Sequence, residues 1–182
     1  MVQLQEECDK KSEAYKAGYK NICEIGKERI RLAANKIIGE NIDTEGLDIG
    51  YRVFKLDSGN MKDVYYPVKA YTKEMLLELE DNIKEDRTDM DLLFNCLLDW
   101  GLELDKPHEV REMMGKKVHI VGDNELIACF EKEIKEEVVE EIGKKQPARV
   151  VFRDASFKDS ISKLNAEEIL KKYAPGASVK VI

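Results

Sequence analysis

The chain has 182 residues, 43% of them hydrophobic and 37% charged, which supplies a core for one domain, or one domain plus an appended segment, and excludes a disordered chain. No apolar run reaches bilayer-spanning length and the polar, acidic opening carries no signal-peptide pattern, so a cytoplasmic protein without a membrane partner is expected. The formal net charge of −7, with basic residues grouped only in pairs such as Lys10-Lys11 and Lys171-Lys172, argues against a domain that binds DNA tightly by itself.

In chain order, Val2-Gln3-Leu4 reads as a short strand, followed by polar and acidic residues and then a long helical pattern. Ile22, Gly26, Ile30, Ala33 and Ile37 recur at three- and four-residue spacing and mark one apolar face, with Gly39 placed to close the helix. A lone amphipathic helix with a strand stub cannot bury its own face. Residues 1–45 therefore read as a segment borrowed from a larger domain, and residues 46–182 as a compact α/β unit.

Tyr51 to Leu56 is β-branched and aromatic and predicts a strand, ending at the turn Asp57-Ser58-Gly59-Asn60. A helix follows with Thr72 as N-cap and Met75, Leu76, Leu79 and Ile83 on one side. The next opens on the capping box Thr88-x-x-Asp91, presents Leu93, Cys96, Leu97 and Trp100, and ends at Gly101. Val110 to Met114, Lys117 to Val121 and Leu126 to Phe130 predict three strands of a meander. A helix bearing Ile134, Val138 and Ile142, with Glu140–Lys144 and Glu141–Lys145 pairs outside, is broken at Pro147. Val150-Val151-Phe152 has the fully apolar character of a buried strand. A last helix, capped by Asn165-x-x-Glu168 and burying Ile169, Leu170 and Tyr173, stops at Pro175-Gly176 before a final strand, Ser178 to Ile182. Strand–helix–strand at this end implies a parallel crossover. The expected fold class is α/β with an α+β tendency, a mixed sheet with flanking helices.

Chemistry is sparse. Cys8, Cys23, Cys96 and Cys129 lie far apart without C-x-x-C spacing, so neither disulfides nor zinc are expected, and His108 and His119 read as one neutral histidine each. The acidic stretch from Asp81 to Asp91 lacks the alternating ligands and central glycine of a calcium loop. Phosphate-loop, dinucleotide, zincin and nucleophile-elbow patterns are absent. Arg153, Asp154 and Ser156 follow the Val150–Phe152 strand, where α/β folds often keep functional groups, and support one alternative, a small ligand-binding domain or enzyme. The simpler reading of that stretch is a strand-end turn in which Asp154 or Ser156 hydrogen-bonds the next backbone segment.

Longer stretches carry more. The run from Lys11 through Ala14-Tyr15-Lys16-Ala17-Gly18-Tyr19 to Ile30-Arg31 resembles a segment of type III restriction–modification DNA methyltransferases, the Mod subunits. So do Gly50 through Phe54-Lys55-Leu56-Asp57-Ser58-Gly59-Asn60 with Lys62 to Tyr66, the block from Glu80 to Gly101, Val151-Phe152-Arg153-Asp154 and the ending Val179-Lys180-Val181-Ile182. The resemblance covers essentially the whole chain in order. It implies an S-adenosylmethionine-dependent, adenine-N6-specific methyltransferase that pairs with a restriction subunit. The family's catalytic D-P-P-Y and cofactor-loop F-x-G-x-G-T motifs do not occur here, so the chain is read as the family's C-terminal region. Residues 1–45 would then be the tail of a Rossmann-like methyltransferase domain and residues 46–182 the Mod C-terminal domain. Glu6 matches an acidic cofactor-binding position, of the kind that accepts from a ribose hydroxyl pair, although Gln5 stands where the family has proline. The resemblance further implies no catalytic residue and no cofactor for this region itself. Its partners would be a second copy, the rest of Mod or the restriction subunit, and its DNA-backbone contacts, a further alternative role, would arise only in the full complex.

Overall fold

The computed structural model describes residues 2–40, 46–62 and 82–182. The chain divides into two compact units, Met1–Val53 and Phe54–Ile182.

The first unit carries two helices, α1 (Glu13–Lys16) and α2 (Ile22–Glu40). Ser12 caps α1 by accepting the Tyr15 N–H. The helix predicted over Ile22 to Ile37 is present, but Gly39 lies inside it, because a closing glycine needs a left-handed backbone that Gly39 does not adopt. Val2 to Leu4 forms no strand. The approach to α2 is instead fixed by a single Glu7–Asn21 bridge, with the Ile22 N–H donating to the Glu6 carbonyl at 3.0 Å and the Cys8 N–H to that of Lys20 at 2.9 Å. No residue of α2 is buried, and Ile22, Ile30 and Ile37 on the anticipated face stay exposed.

The strand expected over Tyr51 to Leu56, which runs across the boundary of the two units, does not form, and its Tyr51, Val53, Phe54 and Leu56 are exposed. β-Branched and aromatic residues favour a strand only where a neighbour completes the ladder. Phe54 instead packs edge-on against Phe94, ring centres 4.8 Å apart. The predicted helix with Thr72, Met75, Leu76 and Leu79 lies outside the described residues. Ile83, assigned to its face, sits buried in a bridge with Met61.

α3 (Asp89–Asp99) has the capping box read from sequence: Thr88 accepts the Asp91 N–H while the Asp91 carboxylate accepts the Thr88 N–H at 2.7 Å. It buries Leu92, Leu93, Cys96 and Leu97, and Gly101, at φ +64°, turns the chain away after it. Five strands follow in the spatial order β1-β2-β3-β4-β5: β1 (His108–Met113), β2 (Lys116–Val121), β3 (Leu126–Cys129), β4 (Arg149–Phe152) and β5 (Ser178–Val181). β1, β2 and β3 form the antiparallel meander, in register Val110 to His119 and Ile120 to Ile127. Met114, expected to end β1, instead makes the tight turn with Gly115, both at positive φ. From β3 onward pairing is parallel, Ala128 against Val151 and Val151 against Lys180. Parallel neighbours need a crossover, and α4 (Glu136–Lys144) and α5 (Ser160–Tyr173) supply the two. The class is α/β with a mixed sheet, as the hydrophobic pattern predicts.

Three local readings are corrected. α5 begins several residues earlier than expected because Asp159, not Asn165, caps it, accepting the Ser162 N–H at 2.7 Å. On α4 the ion pair is Lys144–Glu141 at 2.6 Å, one residue closer than the four-residue spacing predicted. Ile134 precedes α4 rather than riding on it, yet still packs against the core.

Strand alternation divides the core in two. Val118, Ile120, Ile127, Cys129, Val150 and Phe152 meet α4 and α5 on one side of the sheet. Val121, Leu126, Ala128, Phe130 and Val151 meet Ile83 and α3 on the other. The two crossover helices touch closely at Gly143, where a Cβ would stand 2.8 Å from the Cβ of Tyr173. That atom moves only with its backbone. Gly143→Ala is therefore expected to destabilise the chain by up to about 2 kcal/mol, since overpacking of roughly 1–3 kcal/mol is offset by only the ~1 kcal/mol gained in helix propensity. Urea unfolding should show a lower midpoint at an unchanged slope.

Candidate functional site

β4 delivers Arg153, Asp154 and Ser156 to the carboxyl end of the parallel strands, as the sequence places them, in a short 3-10 turn over Asp154–Ser156. The groups there serve the fold. The Asp154 N–H donates to the Ile182 carbonyl at 2.7 Å and the Ile182 N–H to that of Phe152 at 3.0 Å, which ties the chain end to β4. The Asp154 carboxylate pairs with Lys163 of α5 at 2.9 Å. Ser156 is fully buried, its carbonyl accepting the Ile134 N–H at 2.9 Å and its hydroxyl 3.5 Å from the Cys129 carbonyl at the end of β3. A hydroxyl enclosed in this way, with a carbonyl as its partner, has no base to activate it. A groove of about 500 Å3 lies nearby, between the starts of α4 and α5, lined among others by Glu133, Glu136, Phe157 and Ser162. Arg153, Asp154 and Ser156 do not line it. The stretch thus takes the form of the strand-end turn.

Glu6 lies in the other unit and is exposed. Its carbonyl, rather than its carboxylate, has the defined partner, the Ile22 N–H. A hollow of about 320 Å3 in this unit is lined by Tyr19, Glu24, Lys27, Glu28, Arg31 and Tyr51, and not by Glu6.

Two of the four cysteines behave as small hydrophobes: Cys96 and Cys129 are buried, and burial pushes each thiol up to about 11, whereas Cys8 and Cys23 are half-buried. Among the described residues no group of three or more His, Cys, Asp or Glu side chains is placed to hold a metal ion.

The histidines are the site that residue-by-residue reading missed. His108 and His119 stack across β1 and β2 with ring centres 5.3 Å apart and interplanar angle 8°. His108 Nε2 lies 3.1 Å from His119 Nδ1, so one ring donates to the other. On its far side His119 Nε2 faces Asp89, in the first turn of α3, at 3.5 Å, while Lys117 approaches the same carboxylate at 3.3 Å. The antiparallel register is the signal that could have found the pair, because Val110 opposite His119 puts His108 on the neighbouring diagonal. His119 is buried, and that burial pushes its ionisation below the ordinary 6.5, with Lys117 adding to the effect and Asp89 and Glu131 opposing it.

That direction fixes a pH dependence. The unfolded chain takes up the His119 proton before the folded one does, so stability is complete above about pH 6.5 and falls as the pH drops from there toward the lower folded value. Asp91 and Asp159, each held below 3.8 by hydrogen bonds from its helix start, act in a separate window, below that value. In urea midpoints measured against pH, His119→Gln should flatten the upper limb and leave the acid limb in place.

No family model matches this chain, and no curated protein matches it.

Proposed function

We propose that the chain is the C-terminal region of a type III adenine-N6 DNA methyltransferase, and that this region serves assembly rather than chemistry. The observation that carries the reading is the resemblance to Mod subunits, which preserves block order from Lys11 to Ile182. The absence of D-P-P-Y and F-x-G-x-G-T supports a non-catalytic role, since base flipping and methyl transfer need a pocket for the extruded adenine. The exposed isoleucines of α2 support assembly, because apolar surface left in water costs about 25 cal/mol per Å2 and a helix so patterned gains by docking. In this reading the covering partner is a second copy, the remaining part of Mod or the restriction subunit, and S-adenosylmethionine belongs to the parent protein.

The alternative of a ligand-binding site or enzyme at Arg153, Asp154 and Ser156 is not favoured, because Ser156 is enclosed and Asp154 is paired with Lys163.

Incubated with labelled S-adenosylmethionine and duplex DNA, the chain should transfer no methyl group; transfer by the chain alone would overturn the non-catalytic role. In sedimentation the chain should self-associate, and Ile30→Glu combined with Ile37→Glu should return it to a monomer. A chain that stays monomeric, both alone and mixed with the restriction subunit, would remove the assembly role.

A further inference from the structure

The turn Asp57-Ser58-Gly59-Asn60 is held against the segment that leads into α3 by more cationic groups than a turn requires. The Lys84 N–H donates to the Asn60 carbonyl at 3.0 Å, and the Asn60 side chain donates to the Asp91 carbonyl at 3.1 Å. These bonds, with the Met61–Ile83 bridge, already fix the turn. Two further side chains then converge on one hydroxyl: Lys84 Nζ lies 3.0 Å and Arg87 Nη2 2.8 Å from Ser58 Oγ.

A serine hydroxyl has two acceptor lone pairs and one proton. With both lone pairs facing cations, the proton is left to the neighbouring Asp57 carboxylate, which also accepts the Ser58 N–H at 2.7 Å. Ser58 itself is exposed, and beyond it Gly59 stands in open space, with nothing within 4 Å of where a Cβ would be. One hydroxyl proton and two positive charges, approachable past the described residues and now serving the Asp57 carboxylate, form the donor set of a tetrahedral oxyanion. Arg87 is also immobilised in advance. Its side chain is only 9% exposed and its Nη2 is further held by the Ser58 carbonyl at 3.3 Å, so binding would cost little ordering of that group.

Two carboxylates hold the place that such an anion would claim. Asp57 and Asp86 lie 3.4 and 3.3 Å from Arg87 Nη1, longer than a strong charge-assisted bond, and are 70% and 74% exposed. Lys84 Nζ is held by the Ser58 hydroxyl and, with Arg87, helps to keep the Asp57 carboxyl below its usual range.

We propose that Ser58, Lys84 and Arg87 form a binding site for a phosphate-class oxyanion, either the free ion or a phosphate monoester. The anion sits over the Ser58 hydroxyl between the two cations, and Asp57 acts as a weak internal competitor that swings away on binding. The site belongs wholly to the second unit and is independent of the assembly role.

The test is an NMR titration of the full chain with inorganic phosphate and, separately, with a nucleoside 5′-monophosphate, following the backbone signals of Ser58 and Gly59 and the Arg87 side chain. Saturable shifts confined to these signals are expected. Lys84→Gln should weaken binding about tenfold, the worth of one hydrogen bond to a charged group. Asp57→Asn, a change at an exposed position, should tighten it. Tighter binding of the monophosphate identifies a monoester as the ligand, and equal binding identifies the free ion. Shifts that do not saturate, equal affinity in Lys84→Gln, or weaker binding in Asp57→Asn would overturn the site.

Discussion

The second unit depends on one constraint: β3 and β4 are parallel neighbours, only four residues each, and almost wholly buried. Strands that short have no capacity to leave a face in water. Each presents apolar side chains in both directions, so both sides of the sheet must be covered. The crossover geometry supplies one cover without choice, since the chain must travel back over the sheet between β3 and β4 and again between β4 and β5, and α4 and α5 are what it travels in. The other face has no such automatic cover. It is closed from earlier in the chain by α3 and Ile83. The antiparallel meander is then free to be more polar toward its edge, and β1 is largely exposed while β2 buries its last four residues.

That hierarchy explains which elements were legible in the sequence. Val150-Val151-Phe152 could be recognised as a buried strand because nothing in it is polar, and the Thr88–Asp91 box could be recognised because its two bonds are local. Local and period-based signals survive without knowledge of the partner. The Tyr51 to Leu56 strand failed for the opposite reason, as its residues have strand character but join no ladder among the described residues. The start of α5 was misplaced because two cap-like residues compete, and Asp159 has a Ser162 amide and hydroxyl to bind, whereas the Asn165 side chain donates instead to Glu136 on α4.

Of the candidate site, positions were legible and roles were not. The sequence places Arg153, Asp154 and Ser156 at a strand end, where they are. It carries no statement about whether a hydroxyl there faces solvent or the Cys129 carbonyl, because that depends on how closely the end of β3 approaches. The histidine pair was hidden by sequence distance. Residues 108 and 119 look unrelated until the β1–β2 turn folds them into diagonal register, and only then does Asp89, brought by α3, complete the group.

The two serines show how a structural polar group is told from an available one. Ser156 is enclosed, and both its hydroxyl and its carbonyl have partners within the fold. Removing it would disturb packing, but no ligand could reach it. Ser58 has the same chemistry in the reverse setting: its oxygen faces two cations, its proton serves the exposed Asp57 carboxylate, and no described residue stands over Gly59. Backbone bonds already secure the Asp57–Asn60 turn, so the positive charges of Lys84 and Arg87 exceed what holding it requires. Charge held near-rigid at a surface, beyond structural need and balanced only by exposed carboxylates, is the arrangement in which an outside anion competes on favourable terms.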